Sequence, residues 1–281
     1  MFHAISAFCN AGFALFSDSL SQFVSDPIMN TVIAVLIILG GIGFIVTWEL
    51  TGLVRKKRRQ LSLHTRLVLG TSLALILTGF LVFFFFEFDG VLLTTSIHTK
   101  IIGSLFQSIT TRTAGFNTLP IGSLAPVTLT VMILLMFIGA SPGSTGGGIK
   151  TSTFAVLVLS IRSVFRGHEQ VEIGGKTVPE QSVKRAAALL VAATGLVLLC
   201  FILLLSIEQK PYLDLLFETV SAFATVGLST GITSDLSASG KLLITVLMFL
   251  GRIGPLTFGL ALMRDFKKSK IQYPSGRVII G

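Results

Sequence analysis

Three short stretches of this sequence repeat one another around a glycine, and each is too short and too polar to cross a membrane. They are Ser6-Ala7-Phe8-Cys9-Asn10-Ala11-Gly12-Phe13, Thr110-Thr111-Arg112-Thr113-Ala114-Gly115-Phe116 and Ser221-Ala222-Phe223-Ala224-Thr225-Val226-Gly227-Leu228. Their glycines are 103 and 112 residues apart, so the chain copies itself with a period of roughly 105 to 110 residues. The wider segments, His3 to Phe16, His98 to Leu119 and Tyr212 to Ile232, each read as a short amphipathic helix followed by a glycine turn.

Long apolar stretches lie between these segments. Hydrophobic residues make up 52% of the 281 and charged residues 12%, whereas a soluble domain carries about 25% charged residues. Five spans are expected at about Met29 to Leu53, Arg66 to Phe88, Pro126 to Ser163, Val183 to Ile207 and Gly240 to Met263. The net charge of +9 invites a nucleic-acid reading, but 16 of the 22 Lys and Arg fall at Arg55 to Arg66, Arg162 to Arg185 and Arg264 to Arg277. Each cluster abuts an apolar stretch, while the opposite loops carry Asp18, Asp26, Glu87, Asp89 and Asp235. That is the positive-inside pattern, which makes anionic lipid the expected partner of these bases and excludes nucleic acid.

The expected fold is an all-α membrane protein of repeated helix, re-entrant loop and helix units around a central pore. Residues 1–60 form a partial second repeat, 61–170 a third with a broken helix, 171–265 a fourth, and 266–281 a cytoplasmic tail. By this period one full repeat and one helix, roughly 150 residues, are expected ahead of residue 1. Non-helical backbone at membrane depth is tolerated only where protein buries it or water reaches it. Three recurrent turns on one face therefore predict a pore lined by backbone carbonyls. The expected filter is Asn10, Ala11, Gly12, Phe13; Thr113, Ala114, Gly115, Phe116; and Thr225, Val226, Gly227, Leu228.

The third span is interrupted by Gly139-Ala140-Ser141-Pro142-Gly143-Ser144-Thr145-Gly146-Gly147-Gly148, closed by Lys150. Each glycine costs about 1 kcal/mol against alanine in a helix and the proline about 3 kcal/mol. Six breakers in ten residues exceed what a kink needs, and the expected role is a gate below the filter. Arg252, deep in the fifth span between Leu250-Gly251 and Ile253-Gly254, is expected to bond that loop's carbonyls and hold it closed. Arg112 and Glu218 stand just ahead of two filters; a salt bridge between them and separate partners are both open. His3, His64, His98 and His168 lack metal-ligand spacing, and no nucleophile–base motif or phosphate loop is present, so no enzyme activity is expected. Cys9 and Cys200 make no disulfide framework.

This repeat with single-glycine turns resembles the Trk/Ktr/HKT superfamily of K⁺ transporters, and within it the Ktr-type membrane subunit. The likeness is carried by Thr113-Ala114-Gly115-Phe116-Asn117, by Ser141-Pro142-Gly143-Ser144-Thr145-Gly146-Gly147-Gly148-Ile149-Lys150-Thr151 and by Gly251-Arg252-Ile253-Gly254-Pro255. It covers essentially the whole chain, and Tyr273-Pro274 to Ile280-Gly281 resembles a Ktr-type ending. Cys9 departs from the asparagine more usual at its position. The resemblance implies that four repeats in one chain surround one pore, with Gly12, Gly115 and Gly227 as the filter glycines of repeats two to four. It implies K⁺ as the transported ion, no tightly bound cofactor, and Na⁺ as a candidate activator. It also implies a homodimer in a bacterial plasma membrane, docked on a cytosolic ring of nucleotide-binding (KtrA-like) regulatory subunits through residues 55–66 and 162–185. Two alternatives remain: an N-terminally truncated, non-conducting fragment, and a secondary cation transporter, against which the span interiors offer no coupling carboxylate.

Overall fold

The computed structural model describes residues 1–56, 60–168, 170–173 and 175–254. Lys57 to Arg59, the end of the fifth predicted span from Pro255 to Met263, the basic cluster 264–277 and the tail 266–281 lie outside the described residues. Among the described residues ten helices carry the fold: α1 (Phe2–Phe8), α2 (Pro27–Gly41), α3 (Phe44–Val54), α4 (Leu63–Phe86), α5 (Ile97–Thr110), α6 (Pro126–Phe137), α7 (Thr151–Phe165), α8 (Glu180–Ile207), α9 (Tyr212–Phe223) and α10 (Ala238–Ile253). A two-residue hairpin, β1 (Glu172–Ile173) and β2 (Lys176–Thr177), connects α7 to α8.

Local chemistry sets where these helices begin. Asp26 accepts from the amides of Ile28 and Met29 ahead of Pro27, which needs no donor at the first helical position. Ser62, Ser96 and Ser237 likewise cap α4, α5 and α10. A second device recurs between repeats. Glu87, just past α4, accepts from the Ala125 amide at the start of α6, and Glu208, just past α8, accepts from the Ser237 amide at the start of α10. Each carboxylate ties the outer end of one helix to the positive end of the next but one.

Only α4 and α8 are by themselves long and apolar enough to cross a membrane among the described residues, with α6 and α7 as shorter apolar helices. At 1.5 Å per residue α4 is about 36 Å long. Its two faces are sorted for lipid: Leu73, Leu77, Leu81 and Phe85 recur every fourth residue and are exposed, while Ser72, Leu75, Gly79 and Phe83 are buried. The small and polar Ser72 and Gly79 thus pack inward beside Leu75 and Phe83, and the face turned outward is wholly apolar, as when the solvent is hydrocarbon. α4 packs on α5, α6 and α7, α9 packs on α6, α8 and α10, and α1 and α5 both pack on α2.

The first predicted span is not one helix. α2 stops at Gly41, and α3 leaves at 107° to it. Gly43 takes φ +86°, and the Phe44 amide donates to Gly143 O at 3.1 Å instead of to its own helix. The sequence reading saw an unbroken apolar run; a tertiary hydrogen bond breaks it. Glu49 also corrects the reading that span interiors hold no acid. It is buried on α3 beyond the bend and accepts from the Ser62 amide at 3.0 Å.

Candidate functional site

The three predicted filter turns share one backbone. Asn10, Thr113 and Thr225 have φ of +49°, +73° and +52°, and Gly12, Gly115 and Gly227, two residues on, have +70°, +84° and +91°. A β-branched threonine at positive φ is a genuine outlier, stored only where surroundings over-determine it. Those surroundings are alike. A hydroxyl from the short helix ahead of each turn donates to the carbonyl just after each glycine: Ser6 to Phe13 O at 2.9 Å, Thr110 to Phe116 O at 2.6 Å and Ser221 to Leu228 O at 2.7 Å.

The turns also meet. A Cβ built on Gly12 would stand 2.7 Å from Ala114 O and 3.0 Å from Gly115 Cα, and one on Gly115 would stand 2.2 Å from Val226 O. Only glycine lets these backbones approach so closely. A Cβ on Gly227 would meet nothing nearer than Gly115 Cα at 4.0 Å. Of the residues after the glycines, Phe116 and Leu228 are 0% and 3% exposed and Phe13 is 70% exposed. The cluster of turns is therefore open beside Phe13 and beside Gly227.

Beneath the turns lies the interrupted third span. α6 ends at Phe137 and α7 begins at Thr151. Between them Ile138 and Ile149 form a parallel bridge, the Ile149 amide donates to Phe137 O at 3.1 Å, and the Ala140 amide donates to Gly147 O at 3.3 Å. Ser141, Pro142 and Gly143 run against the bend between α2 and α3, where the Ser141 amide donates to Gly41 O at 3.0 Å. The loop's glycines have a steric reason. A Cβ on Gly139 would stand 2.0 Å from Gly147 O, and one on Gly43 2.4 Å from Pro142 O. Gly143 and Gly148 take positive φ, and the Ser144 hydroxyl closes a turn onto Ser141 O.

Consecutive loop residues receive the three strained side chains of the turns. Asn10 Nδ2 donates to Thr145 Oγ1 at 2.8 Å. A Cβ on Gly146 would stand 2.1 Å from Thr113 Oγ1, and one on Gly147 2.4 Å from Thr225 Oγ1. The loop is thus seated on all three turns at once, and bare glycine at 146 and 147 is what lets it fit.

Three cationic side chains hold the loop's carbonyls. Arg252 Nη1 donates to Thr145 O, Lys150 Nζ to Gly146 O at 2.7 Å, and Arg112 Nη2 to Gly139 O at 3.5 Å. The Arg112 guanidinium also reaches Ser72, with Oγ at 3.3 Å, and Glu218 takes hydrogen bonds from Ser229 and Thr233. These two find separate partners and form no pair with each other. Arg112's place on the loop and the hinge at Gly43 both escaped the sequence reading. A signal for the hinge existed, since Gly40-Gly41-Ile42-Gly43 parallels Gly251-Arg252-Ile253-Gly254. In the structure Gly40 lies against Phe8 O as Gly251 lies against Phe223 O. No group of His, Cys, Asp and Glu able to hold a metal exists among the described residues.

Comparison with known proteins agrees with this architecture. Residues 1–271 match the family model described as TrkH, cation transport protein. The chain is 44% identical to the Ktr system potassium uptake protein B of Bacillus subtilis, over its full length and 63% of the relative's. To the protein of the same name from Vibrio alginolyticus it is 40% identical, over its full length and 62% of the relative's. It thus spans about three fifths of the curated relatives it matches. The crystal structure of the potassium transporter TrkH from Vibrio parahaemolyticus superposes with a TM-score of 0.76 over 94% of this chain and 57% of that one, at 20% identity, which speaks for the fold. Repeat architecture, broken helices and family match converge, and the chain belongs to the TrkH family of cation transport proteins.

Proposed function

We propose that this chain is the translocating part of a K⁺ uptake system, in which the three glycine turns line the ion path and residues 139–148 gate it. Single-file K⁺ selection needs backbone carbonyls held at fixed positions in place of water. The observation that carries the reading is the recurrence of one strained backbone at Asn10–Gly12, Thr113–Gly115 and Thr225–Gly227, with the three turns in mutual contact. The relatives' names, which specify potassium uptake, support the choice of ion.

The gate would be closed as it stands here. The loop's carbonyls at Gly139, Thr145 and Gly146 are engaged by Arg112, Arg252 and Lys150. Tethered cations on those oxygens compete with a passing cation, so opening requires Arg252 to let go. Transport is passive and needs no bound cofactor, with Na⁺ as a candidate activator. The working assembly on this reading is a membrane homodimer on a cytosolic ring of nucleotide-binding subunits, contacted through residues 55–66 and 162–185.

A second reading is favoured by the exposure of Phe13, whose counterparts Phe116 and Leu228 are buried. A further unit of the same repeat would cover that side, and the 281 residues alone would then assemble without conducting. Growth at micromolar K⁺ of a bacterial strain without its own uptake systems, expressing this chain, separates the two. Growth supports conduction by these residues; absence of growth with verified membrane expression supports the second reading.

A further inference from the structure

The pore helices hold one more repetition, which neither the filter nor the gate uses. Each contains a phenylalanine followed by a polar residue: Phe2-His3, Phe106-Gln107 and Phe217-Glu218. Three residues further on stand Ser6, Thr110 and Ser221, the hydroxyls that bond the carbonyl after each glycine. The polar residue therefore sits one helical turn above that contact in all three repeats, level with the outer rim of the turn.

In two repeats it does the same thing. His3 Nε2 accepts from the Leu15 amide at 3.2 Å. Glu218 has the Thr230 amide within hydrogen-bonding reach, and also takes the hydroxyls of Ser229 and Thr233. Leu15 and Thr230 are each the third residue after the filter glycine. In the remaining repeat Gln107 is fully buried and neither end of its amide has a hydrogen-bond partner. One structural position thus carries an imidazole, an amide and a carboxylate.

The imidazole differs from the other two in a way that matters outside the cell. Its Nε2 lone pair can accept the Leu15 N–H or bind a proton, and not both; once protonated, both ring nitrogens are donors. Imidazole is the side chain whose charge ordinarily changes between pH 5 and 8. The His3 ring is otherwise fixed by aromatic contacts, stacked on Phe16 at 5.4 Å with 12° between planes and edge-on to Phe2 at 5.6 Å. The titratable groups on the surrounding elements are the Met1 ammonium and Cys9 on the α1 side, Asp18 in the following loop, and Asp26. Asp26 is committed to the cap of α2, and none of the four is bonded or ion-paired to the ring.

We propose that His3 is a positioning residue for the second filter turn, and that protonating it from the outer side frees Leu15 and lowers K⁺ transport. This rests on the transport reading above. Protonation removes the acceptor of repeat two, whereas the Gln107 amide does not titrate and Glu218 keeps an acceptor oxygen in either protonation state. Acid then loosens one turn of the filter and leaves the other two as they were, and the turn it loosens is the one with the exposed Phe13.

The test compares the 281-residue chain with its His3→Gln and His3→Ala variants in proteoliposomes, reading Rb⁺ uptake at external pH 7.5 and 5.5. The readout is the ratio of the two fluxes within each protein. Wild type should lose about fivefold at pH 5.5, the shift that one hydrogen bond carries. His3→Gln, which installs an amide acceptor that carries no titrating proton, should give a ratio near one, and His3→Ala should be low at both values. An acid loss in His3→Gln equal to that of wild type, or no acid loss in wild type, overturns the proposal. If wild type carries no Rb⁺ at pH 7.5, the transport reading fails instead. Hydrogen–deuterium exchange of residues 13–16 in detergent then decides His3. After correction for intrinsic rates, protection must fall on acidification in wild type and hold in His3→Gln; equal behaviour of the two overturns the assignment.

Discussion

The side-chain amide of Asn10 donates to the hydroxyl of Thr145 across 2.8 Å, joining two residues 135 positions apart. Asn10 is the strained residue of one predicted filter turn, and Thr145 is the loop residue whose carbonyl Arg252 holds. A single contact therefore connects the predicted filter, the predicted gate and the loop carbonyl to which Arg252 donates. Thr145 Oγ1 also faces Gly40 O at 3.3 Å, so the bend of α2 and α3 shares the same junction.

Coupling between the two residues follows. A double-mutant cycle over Asn10→Ala and Thr145→Val should give a non-additive stability effect of about 0.5–3 kcal/mol, the range for residues in direct contact. Thermal unfolding in detergent measures it. Additive effects within 0.3 kcal/mol or so would separate filter from gate energetically.

Arg252→Ala should raise K⁺ flux. A hydrogen bond from a charged group contributes about 1.5–3 kcal/mol, and 1.4 kcal/mol is a factor of ten. The open-to-closed ratio should therefore rise by about tenfold or more, read as Rb⁺ flux per expressed protein. Unchanged or reduced flux in a folded variant would remove Arg252 from the gate.

The predicted filter glycines should not be equally sensitive. All three take positive φ, so alanine is strained at each by about 1–2 kcal/mol. Gly115→Ala adds a contact at 2.2 Å with Val226 O and Gly12→Ala one at 2.7 Å with Ala114 O, while Gly227→Ala meets nothing nearer than 4.0 Å. Loss of K⁺ over Na⁺ preference in competition flux should rank Gly115, then Gly12, then Gly227. The reverse rank would mean that the turns do not meet as described.

Helix glycines separate packing from propensity. A Cβ at Gly40 would stand 1.9 Å from Phe8 O and one at Gly251 1.8 Å from Phe223 O, both backbone atoms at the ends of α1 and α9. Alanine at either should lower the melting temperature, since overpacking costs about 1–3 kcal/mol. Gly70 in α4 has no neighbour within 4 Å of such a Cβ. Gly70→Ala should be neutral or stabilising by up to about 1 kcal/mol.

Much of the fold was legible before any coordinates. Hydropathy and charge placed the apolar helices, because lipid and water sort side chains residue by residue. Self-comparison found the three glycine turns, because φ above zero is a local demand that only a few residue types meet. The breakers at 139–148 likewise forced an interruption wherever they stood. Four features were decided by tertiary structure alone. The hinge at Gly43 forms because the Phe44 amide finds Gly143 O on another segment. Arg112 turns to Ser72 and Gly139 while Glu218 braces its own loop. Asn10, Thr113 and Thr225 come to rest on residues 145, 146 and 147 in order. The cluster leaves Phe13 exposed and Gly227 with open space, while Phe116 and Leu228 are buried. Local preference can specify which backbone a residue adopts, but which carbonyl a side chain meets 100 residues away depends on how the repeats pack, and no local pattern encodes that.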